Sequence, residues 1–170
     1  NKKFQWHKIN LFDTSIKKWN YIFYLDINMQ IHNDISDILS IKPKKKILAR
    51  SDSYPEYKNN LSSQFDKNTK SYAKLKEEYD LTINNYFQTG LLYFDTNIVN
   101  TRTKERLIEL SEEYPCTITN EQAICNLYFI FEENLYEELV AEINDKISYF
   151  YWMLPDKKVI ITKQNRIQYK

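Results

Sequence analysis

The chain contains a single glycine, Gly90, among its 170 residues. Phosphate cradles of the P-loop and G-x-G-x-x-G types need several glycines, because their backbone must approach the phosphate closely. The composition therefore excludes both kinds of nucleotide-binding loop. Any phosphate ligand must be held by a metal ion, by side chains or by a helix N-terminus. A residue this rare is also expected to meet a backbone requirement where it occurs.

Cysteine is scarce too, and long apolar runs are missing. Cys116 and Cys125 are the only cysteines, and their spacing matches neither a zinc site nor a disulfide framework. We expect both to be small buried residues in a reducing compartment, which predicts a cytoplasmic protein. No stretch reaches the roughly 20 apolar residues of a membrane span, and we expect no signal peptide. Because the chain begins with Asn1 rather than methionine, an upstream piece is expected to be missing.

Charge of one sign is not in excess. The chain has 24 basic and 23 acidic residues and a formal net charge of +1, so no nucleic-acid partner is expected. The one dense basic run, residues 42–46, is interrupted by Pro43 and is interpreted as a solvated turn, with contact to phosphate or an anionic surface as the alternative. The abundance of Lys, Asn, Ile and Tyr is typical of AT-rich microbial or viral coding sequence. The length suits one domain with a substantial core.

One apolar run, residues 21–25, ends abruptly in two polar residues, Asp26 and Asn28. The run is mostly aromatic or β-branched and is typical of a buried strand. Side chains two residues apart on an extended chain point the same way, so Asp26 and Asn28 would present two oxygens to one point. A divalent cation shared with substrate phosphates would satisfy a carboxylate placed there. The alternative is a strand that ends in an Asx turn.

Helical and strand patterns alternate along the chain, which predicts an α/β fold, a mixed sheet flanked by helices. Helices are predicted at residues 4–19, 34–39, 72–79, 103–114, 120–131 and 133–143. Strands are predicted at residues 21–25, 46–50, 86–95, 147–154 and 158–162. Residues 51–80 are polar, which predicts a long connecting segment that contains one short helix.

Three segments, taken in order, resemble a known family. Residues 24–28 read Tyr-Leu-Asp-Ile-Asn, residues 86–96 read Tyr-Phe-Gln-Thr-Gly-Leu-Leu-Tyr-Phe-Asp-Thr, and residues 120–126 read Asn-Glu-Gln-Ala-Ile-Cys-Asn. They resemble the nucleotide-sugar glycosyltransferases of the GT-A fold, most closely glycosyltransferase family eight. In that family a Tyr-Leu-Asp-x-Asp-type strand end supplies the metal site, a Phe-Asn-x-Gly-type segment lines the cleft, and an Asp-Gln pair opening a helix faces the transferred sugar. The resemblance covers roughly residues 6–131.

The resemblance implies metal and catalytic roles at four positions. Asp26 and Asn28 would hold Mn²⁺ or Mg²⁺ against the diphosphate of a nucleotide sugar, which neutralises charge on the leaving group. Glu121 and Gln122 would face the sugar and stabilise positive charge that develops on it. A plain capping role in the first turn of a helix is the alternative for Glu121 and Gln122.

Four further residues match positions that bind substrate in the family. Gln88 and Thr89 are short polar groups suited to sugar hydroxyls, and Gly90 allows the backbone to approach a ligand closely. Lys8 resembles the family's basic residue on the helix before the metal strand, which reaches the donor. The alternatives are solvent-facing strand residues at 88 and 89, a bulge or tight strand contact at 90, and an ordinary surface lysine at 8.

The chain departs from the family pattern around the metal. Asn28 replaces the second acidic residue, so weaker metal binding is expected. The family's late histidine ligand has no counterpart, because the only histidines are His7 and His32, and His32 is interpreted as a solvent-facing turn residue. The strands that hold base and ribose would precede residue 1. We therefore expect one GT-A-like domain over residues 1–170 that is incomplete at its N-terminus, or a minimal variant with a poor nucleotide pocket.

The sequence thus predicts a metal-dependent glycosyltransferase that moves a hexose from a nucleotide donor, expected to be UDP-linked, to a sugar or protein acceptor. Family resemblance implies retention of anomeric configuration. One alternative is a catalytically silent GT-A-like domain that binds sugars or a partner protein. Another is a nucleotidyltransferase, which also uses Asp-x-Asp on a strand but needs a glycine-rich turn or a further acidic ligand.

Overall fold

Within the described residues, four strands form one mixed sheet in the order β1-β3-β2-β4. The computed structural model describes residues 4–27, 29, 31, 34–53, 58–139, 142–143, 146–147, 159–161 and 167–169. The strands are β1 (Tyr21–Leu25), β2 (Ile47–Ser51), β3 (Phe87–Asp95) and β4 (Tyr136–Glu138). Strand β3 runs antiparallel to both β1 and β2, and β2 runs parallel to β4. The chain is therefore a mixed α/β protein, as predicted.

Helices pack around this sheet. The α-helices of the described part are α1 (Ser36–Ser40), α2 (Lys70–Glu78), α3 (Thr103–Glu113) and α4 (Glu121–Asn126), which continues as a π-helix over Leu127–Glu132. Shorter 3-10 helices cover Phe4–Phe12, Thr14–Lys18, Leu61–Gln64 and Thr96–Ile98. Two short antiparallel pairs join Glu142–Ile143 to Lys146–Ile147 and Val159–Ile161 to Ile167–Tyr169. None of the helices in the described ranges is long and apolar enough to cross a membrane.

Strand β3 is the centre of the core, because β1 and β2 flank it and apolar clusters cover both of its faces. On one face Phe94 packs against Phe12, with ring centres 5.4 Å apart, and Phe12 packs in turn against Phe129 at 4.8 Å. The predicted burial of Cys116 and Cys125 is confirmed, and both are free thiols.

Several predicted elements are confirmed close to their expected positions, namely β1, β2, β3, α2, α3 and the helix that opens at residue 121. The sequence predicts that Asp34 caps a helix through Leu39; α1 instead begins at Ser36 with Ile35 at the cap position, and Asp34 accepts the Ser36 N–H at 2.9 Å in an Asx-type turn. The predicted strand at 158–162 is present over Val159–Ile161. The predicted strand at 147–154 lies mostly outside the described residues.

Three sequence expectations were wrong. The N-terminal segment forms two 3-10 helices instead of one helix, because Asp13 caps a new start by accepting the Ser15 N–H at 3.0 Å. Residues 136–138 form β4 rather than a helix, since Asn134 leaves helical geometry at φ 51° and the chain then pairs with the outer edge of β2. Strand β1 is an edge strand of the described sheet and only partly buried, with Tyr21 exposed.

Helix α4 is fastened to β3 where the pairing of β3 with β2 loses its register. Ala49 pairs with Leu92 but Ser51 pairs with Phe87, so the ladder is interrupted between them. At this interruption the buried Asn126 side chain bonds to the backbone of Phe87. Its Oδ1 accepts the Phe87 N–H at 2.8 Å and its Nδ2 donates to the Phe87 carbonyl at 2.7 Å. The C-terminal end of α4 is thereby held beside Phe87 of the strand.

Replacing Asn126 with alanine should therefore destabilise the fold. The change leaves a buried N–H and a buried carbonyl without partners, and each costs about 1–3 kcal/mol, so we expect a loss of about 2–6 kcal/mol in the free energy of unfolding. Urea denaturation measures it. Asn97→Ala, at an exposed position, is the control and should cost less than about 1 kcal/mol. Equal losses in the two variants would contradict the fastening role of Asn126.

Candidate functional site

The end of β1 and the interrupted part of β3 lie side by side. Leu25 pairs with Leu91, and the Asp26 N–H continues the pairing by donating to the Gly90 carbonyl at 2.8 Å. Two of the three segments singled out in the sequence are therefore in direct backbone contact. The first turn of α4, which carries the third segment, contacts the same stretch of β3.

Lys8 joins these segments through its ammonium group. Its Nζ lies 3.0 Å from Asp26 Oδ1 and 2.9 Å from Glu121 Oε1, and it donates to the Thr89 hydroxyl at 3.2 Å and the Thr89 carbonyl at 3.3 Å. The side chain is only 10% exposed, so Lys8 is not an ordinary surface lysine. Burial acts to lower the pKa of Lys8, but Glu121 and Asp26 together outweigh it and raise the pKa above its usual value.

Glu121 is the most deeply buried charged group of this cluster, with 2% of the residue exposed. Its Oε1 accepts from Lys8 and from the Thr89 hydroxyl at 3.1 Å. Its Oε2 is buried and has no hydrogen-bond partner, the one such side-chain atom found among the described residues. A buried carboxylate oxygen without a partner is costly, and a ligand hydroxyl or positive charge would satisfy it.

Asp26 is more accessible, with a third of its side chain exposed (33%). The Tyr24 hydroxyl donates to its Oδ1 at 2.7 Å, so Tyr24 and Lys8 engage the same oxygen. Burial, and then the neighbouring Asp26 carboxylate, raises the pKa of Tyr24, which keeps this hydroxyl protonated as a donor.

Gly90 occupies a crowded position of ordinary backbone geometry. A Cβ placed on it would lie 2.7 Å from Gln88 Oε1, 3.1 Å from Met29 Cε and 3.5 Å from Asp26 Oδ2. The position does not require a left-handed backbone, since no glycine of the described residues has a positive φ. The absence of a side chain at Gly90 therefore lets the side chains of Gln88, Met29 and Asp26 lie directly over its backbone.

The side-chain amide of Gln122 lies within a set of protein contacts. Its Oε1 accepts the Thr89 N–H at 3.2 Å, and its Nε2 donates to Asp52 Oδ2 at 3.2 Å and to Gln64 Oε1 at 2.9 Å. Asp52 and Gln64 were not identified from the sequence. The signal was available for Asp52, because it directly follows β2 as Asp26 directly follows β1, and these two strands run parallel and end at the same edge of the sheet.

The structure brings together every candidate residue that it describes, namely Lys8, Asp26, Gln88, Thr89, Gly90, Glu121 and Gln122. Asn28 and His32 lie outside the described residues, and His7 is exposed. In the described part of the chain, no group of three or more His, Cys, Asp or Glu side chains could hold a metal ion. An ion shared with substrate phosphates can be held by as few as one or two protein carboxylates, and Asp26 is the partly exposed carboxylate of this cluster.

Comparison of the chain with known protein families, curated proteins and solved structures found no match. What the site does is therefore inferred from its own contacts. Asp26, Glu121 and Lys8 together carry a net charge of −1, and the unpaired oxygen of Glu121 is negative and shielded from water. Such a cluster favours a cation or a group that becomes positive during reaction.

Proposed function

We propose that this chain is a metal-dependent glycosyltransferase of GT-A-like fold that transfers a hexose from a UDP-hexose to a sugar or protein acceptor. The observation that supports this best is the meeting of four segments distant in sequence. Asp26, Thr89 and Glu121 all lie within hydrogen-bonding distance of Lys8 Nζ, and these four residues belong to segments that the family resemblance assigns to the donor site.

Each residue of the cluster has a distinct part in this proposal. Asp26 would hold Mn²⁺ or Mg²⁺, which when bound neutralises charge on the departing diphosphate. Lys8 fixes the Asp26 and Glu121 carboxylates relative to each other. Glu121 would stabilise the positive charge that develops as the sugar–phosphate bond breaks, once the sugar displaces the groups that now bury its unpaired oxygen.

Gln88, Thr89 and Gly90 would contribute to substrate binding. Gln88 would offer its amide to sugar hydroxyls, and the bare backbone at Gly90 would let a ligand approach closely once Gln88 and Met29 move aside. Thr89 is buried and bonded to Lys8, Glu121 and Gln122, so it would act on the sugar through those residues rather than by direct contact. The family resemblance supports retention of configuration, and Gln122 as a second sugar-facing group remains a prediction.

A second candidate function is a catalytically silent domain that binds sugars or a partner protein. The Lys8–Asp26 ion pair favours it, because the ammonium already neutralises the carboxylate that would attract a cation, and Tyr24 occupies the same oxygen. Calorimetric titration with UDP separates the two candidates. A transferase should release or absorb heat on binding UDP in the presence of Mn²⁺ and much less in its absence. No heat under either condition favours the silent domain.

Gly90→Ala should separate ligand binding from folding. The new methyl group meets the flexible ends of Gln88 and Met29 and lies at an ordinary contact distance from Asp26 Oδ2, so we expect the free energy of unfolding to change by less than about 1 kcal/mol. The displaced side chains enter the space beside Asp26, and the affinity for UDP-glucose with Mn²⁺ should fall by about tenfold or more. Calorimetry and urea denaturation measure the two effects. Unchanged affinity would show that ligand does not occupy this space.

A further inference from the structure

A second carboxylate, Asp52, lies at the end of β2 and takes no part in the roles above. Its N–H donates to the Tyr86 carbonyl at 2.7 Å, which anchors its backbone. Its Oδ2 accepts hydrogen bonds from Gln64 Nε2 at 2.8 Å and Gln122 Nε2 at 3.2 Å. Burial raises the pKa of Asp52, and the two amides oppose that rise.

The two glutamines also bond to each other. Gln122 Nε2 donates to Gln64 Oε1 at 2.9 Å, and the Thr119 hydroxyl donates to the same oxygen. Gln122 Oε1 accepts the N–H of Thr89, which lies where the register between β3 and β2 shifts. A continuous chain of hydrogen bonds therefore runs from Asp52 through Gln122 to the backbone of Thr89.

Asp52 determines which groups donate and which accept along this series of hydrogen bonds. Asp52 Oδ2 accepts both hydrogen bonds, so the NH₂ groups of Gln64 and Gln122 both face it. Their amide oxygens must then turn away from Asp52. For Gln122 this places the oxygen at the Thr89 N–H, and Thr89 in turn contacts Lys8 and Glu121 through its carbonyl and hydroxyl.

We propose that Asp52 is a positioning residue of the transfer site: it orients the Gln122 amide, and the oriented amide holds Thr89 in place against Lys8 and Glu121. The kinetic consequence rests on the proposed function, whereas the orientation of the amide does not. The role is distinct from substrate contact, because Asp52 acts on the reacting groups only through Gln122 and Thr89.

Hydrogen exchange of the Thr89 amide tests the orientation directly. In Asp52→Ala the Gln122 amide loses the acceptor that directs it, so the protection of the Thr89 N–H should fall by about tenfold or more. The protection of amides at the centre of β3, such as Leu92, should stay within about twofold of wild type. Asp80→Ala, which removes an exposed carboxylate, should change neither. Unchanged protection of Thr89 in Asp52→Ala overturns the proposal.

Exchanging the hydrogen-bond donor and acceptor between residues 52 and 122 gives a second test, which does not depend on removing a side chain. Gln122→Glu places a carboxylate against Asp52 and should expose the Thr89 amide to exchange. Adding Asp52→Asn supplies an NH₂ group that donates to the new carboxylate, so Thr89 protection should return to within about threefold of wild type. The pair Gln122→Glu and Asp80→Asn should show no recovery. Failure of the Asp52→Asn change to restore protection also overturns the proposal.

The rate of UDP-glucose turnover with Mn²⁺ measures how much the positioning by Asp52 contributes to the proposed transfer. Asp52→Ala should lower kcat by about tenfold and leave KM for the donor within about threefold, because positioning of Glu121 matters in the transition state. A raised KM with unchanged kcat means that Asp52 binds the donor itself, which contradicts the positioning role. If the wild-type protein shows no turnover, the proposed function fails while the two exchange experiments still decide the role of Asp52.

Discussion

Glu121→Gln is expected to lower the rate of hexose transfer from UDP-glucose by at least about 100-fold, because it removes one preorganised charge at the reacting centre. Glutamine keeps the shape of the side chain and can still accept hydrogen bonds from Lys8 and Thr89 at one oxygen. What it loses is the negative charge at the buried oxygen that has no partner in the protein. The rate should therefore fall while the fold is kept.

The control for this prediction is a carboxylate outside the cluster. Glu109 forms exposed ion pairs with Arg102 and Arg106, and Glu109→Gln should leave the transfer rate within about twofold of wild type. Single-turnover kinetics with UDP-glucose measures the chemical step in both variants. Equal rates for Glu121→Gln and wild type would exclude Glu121 from the transfer.

Lys8→Met is expected to lower the free energy of unfolding by about 3–5 kcal/mol, the usual cost of breaking a buried ion pair by removing one partner. The loss arises at Glu121, whose side chain is only 3% exposed and would remain as an uncompensated buried charge. Asp26 is more exposed, so water can take over part of its solvation. Methionine retains most of the apolar volume of the lysine stem, which separates the loss of charge from a loss of packing.

Lys104→Met provides the comparison for Lys8→Met. Lys104 pairs with Asp13 at 3.0 Å, but both side chains are more than a third exposed (34% and 39%), and solvent screens such pairs. Its removal should leave the free energy of unfolding nearly unchanged. Similar losses in the two variants would mean that the Lys8 ion pairs contribute no more to the free energy of unfolding than surface ion pairs do.

The Lys8 contribution also has a defined pH dependence. Because the pKa of Lys8 is raised in the folded protein, the stabilisation is fully present below the ordinary lysine pKa of 10.5 and is lost as pH rises through the higher folded value. The difference in stability between wild type and Lys8→Met should therefore be constant near neutral pH and shrink only in the alkaline range. A difference that shrinks between pH 6 and 8 would point to another titrating group.

The strand ends and the helix starts were predictable from the sequence because their signals are local. The apolar run of residues 21–25 and the polar residues after it predicted both β1 and the position of Asp26, and the break at Pro115 predicted the end of α3. The convergence of Asp26, Gly90 and Glu121 followed from the family resemblance rather than from periodicity.

Other features depend on contacts that no local pattern records. Strand β4 forms because β2 offers an unpaired edge, and the sequence around Tyr136 alone favours a helix about as well. The burial of Lys8 is equally non-local, since it requires the 3-10 helix of Phe4–Phe12 to lie across the end of the sheet. The position of Asp52 after β2 was a local signal, but its bonding to Gln64 and Gln122, which are distant in sequence, was not.

The most direct measurement of the central claim is product analysis after incubation with donor and Mn²⁺. Wild-type protein should release UDP from UDP-glucose in a Mn²⁺-dependent manner, by transfer or by donor hydrolysis, and Asp26→Ala should abolish that release. Nucleoside triphosphates should yield no product. Release of UDP that is unchanged in Asp26→Ala, or nucleotidyl transfer from a triphosphate, would contradict the assignment of this cluster as a nucleotide-sugar site.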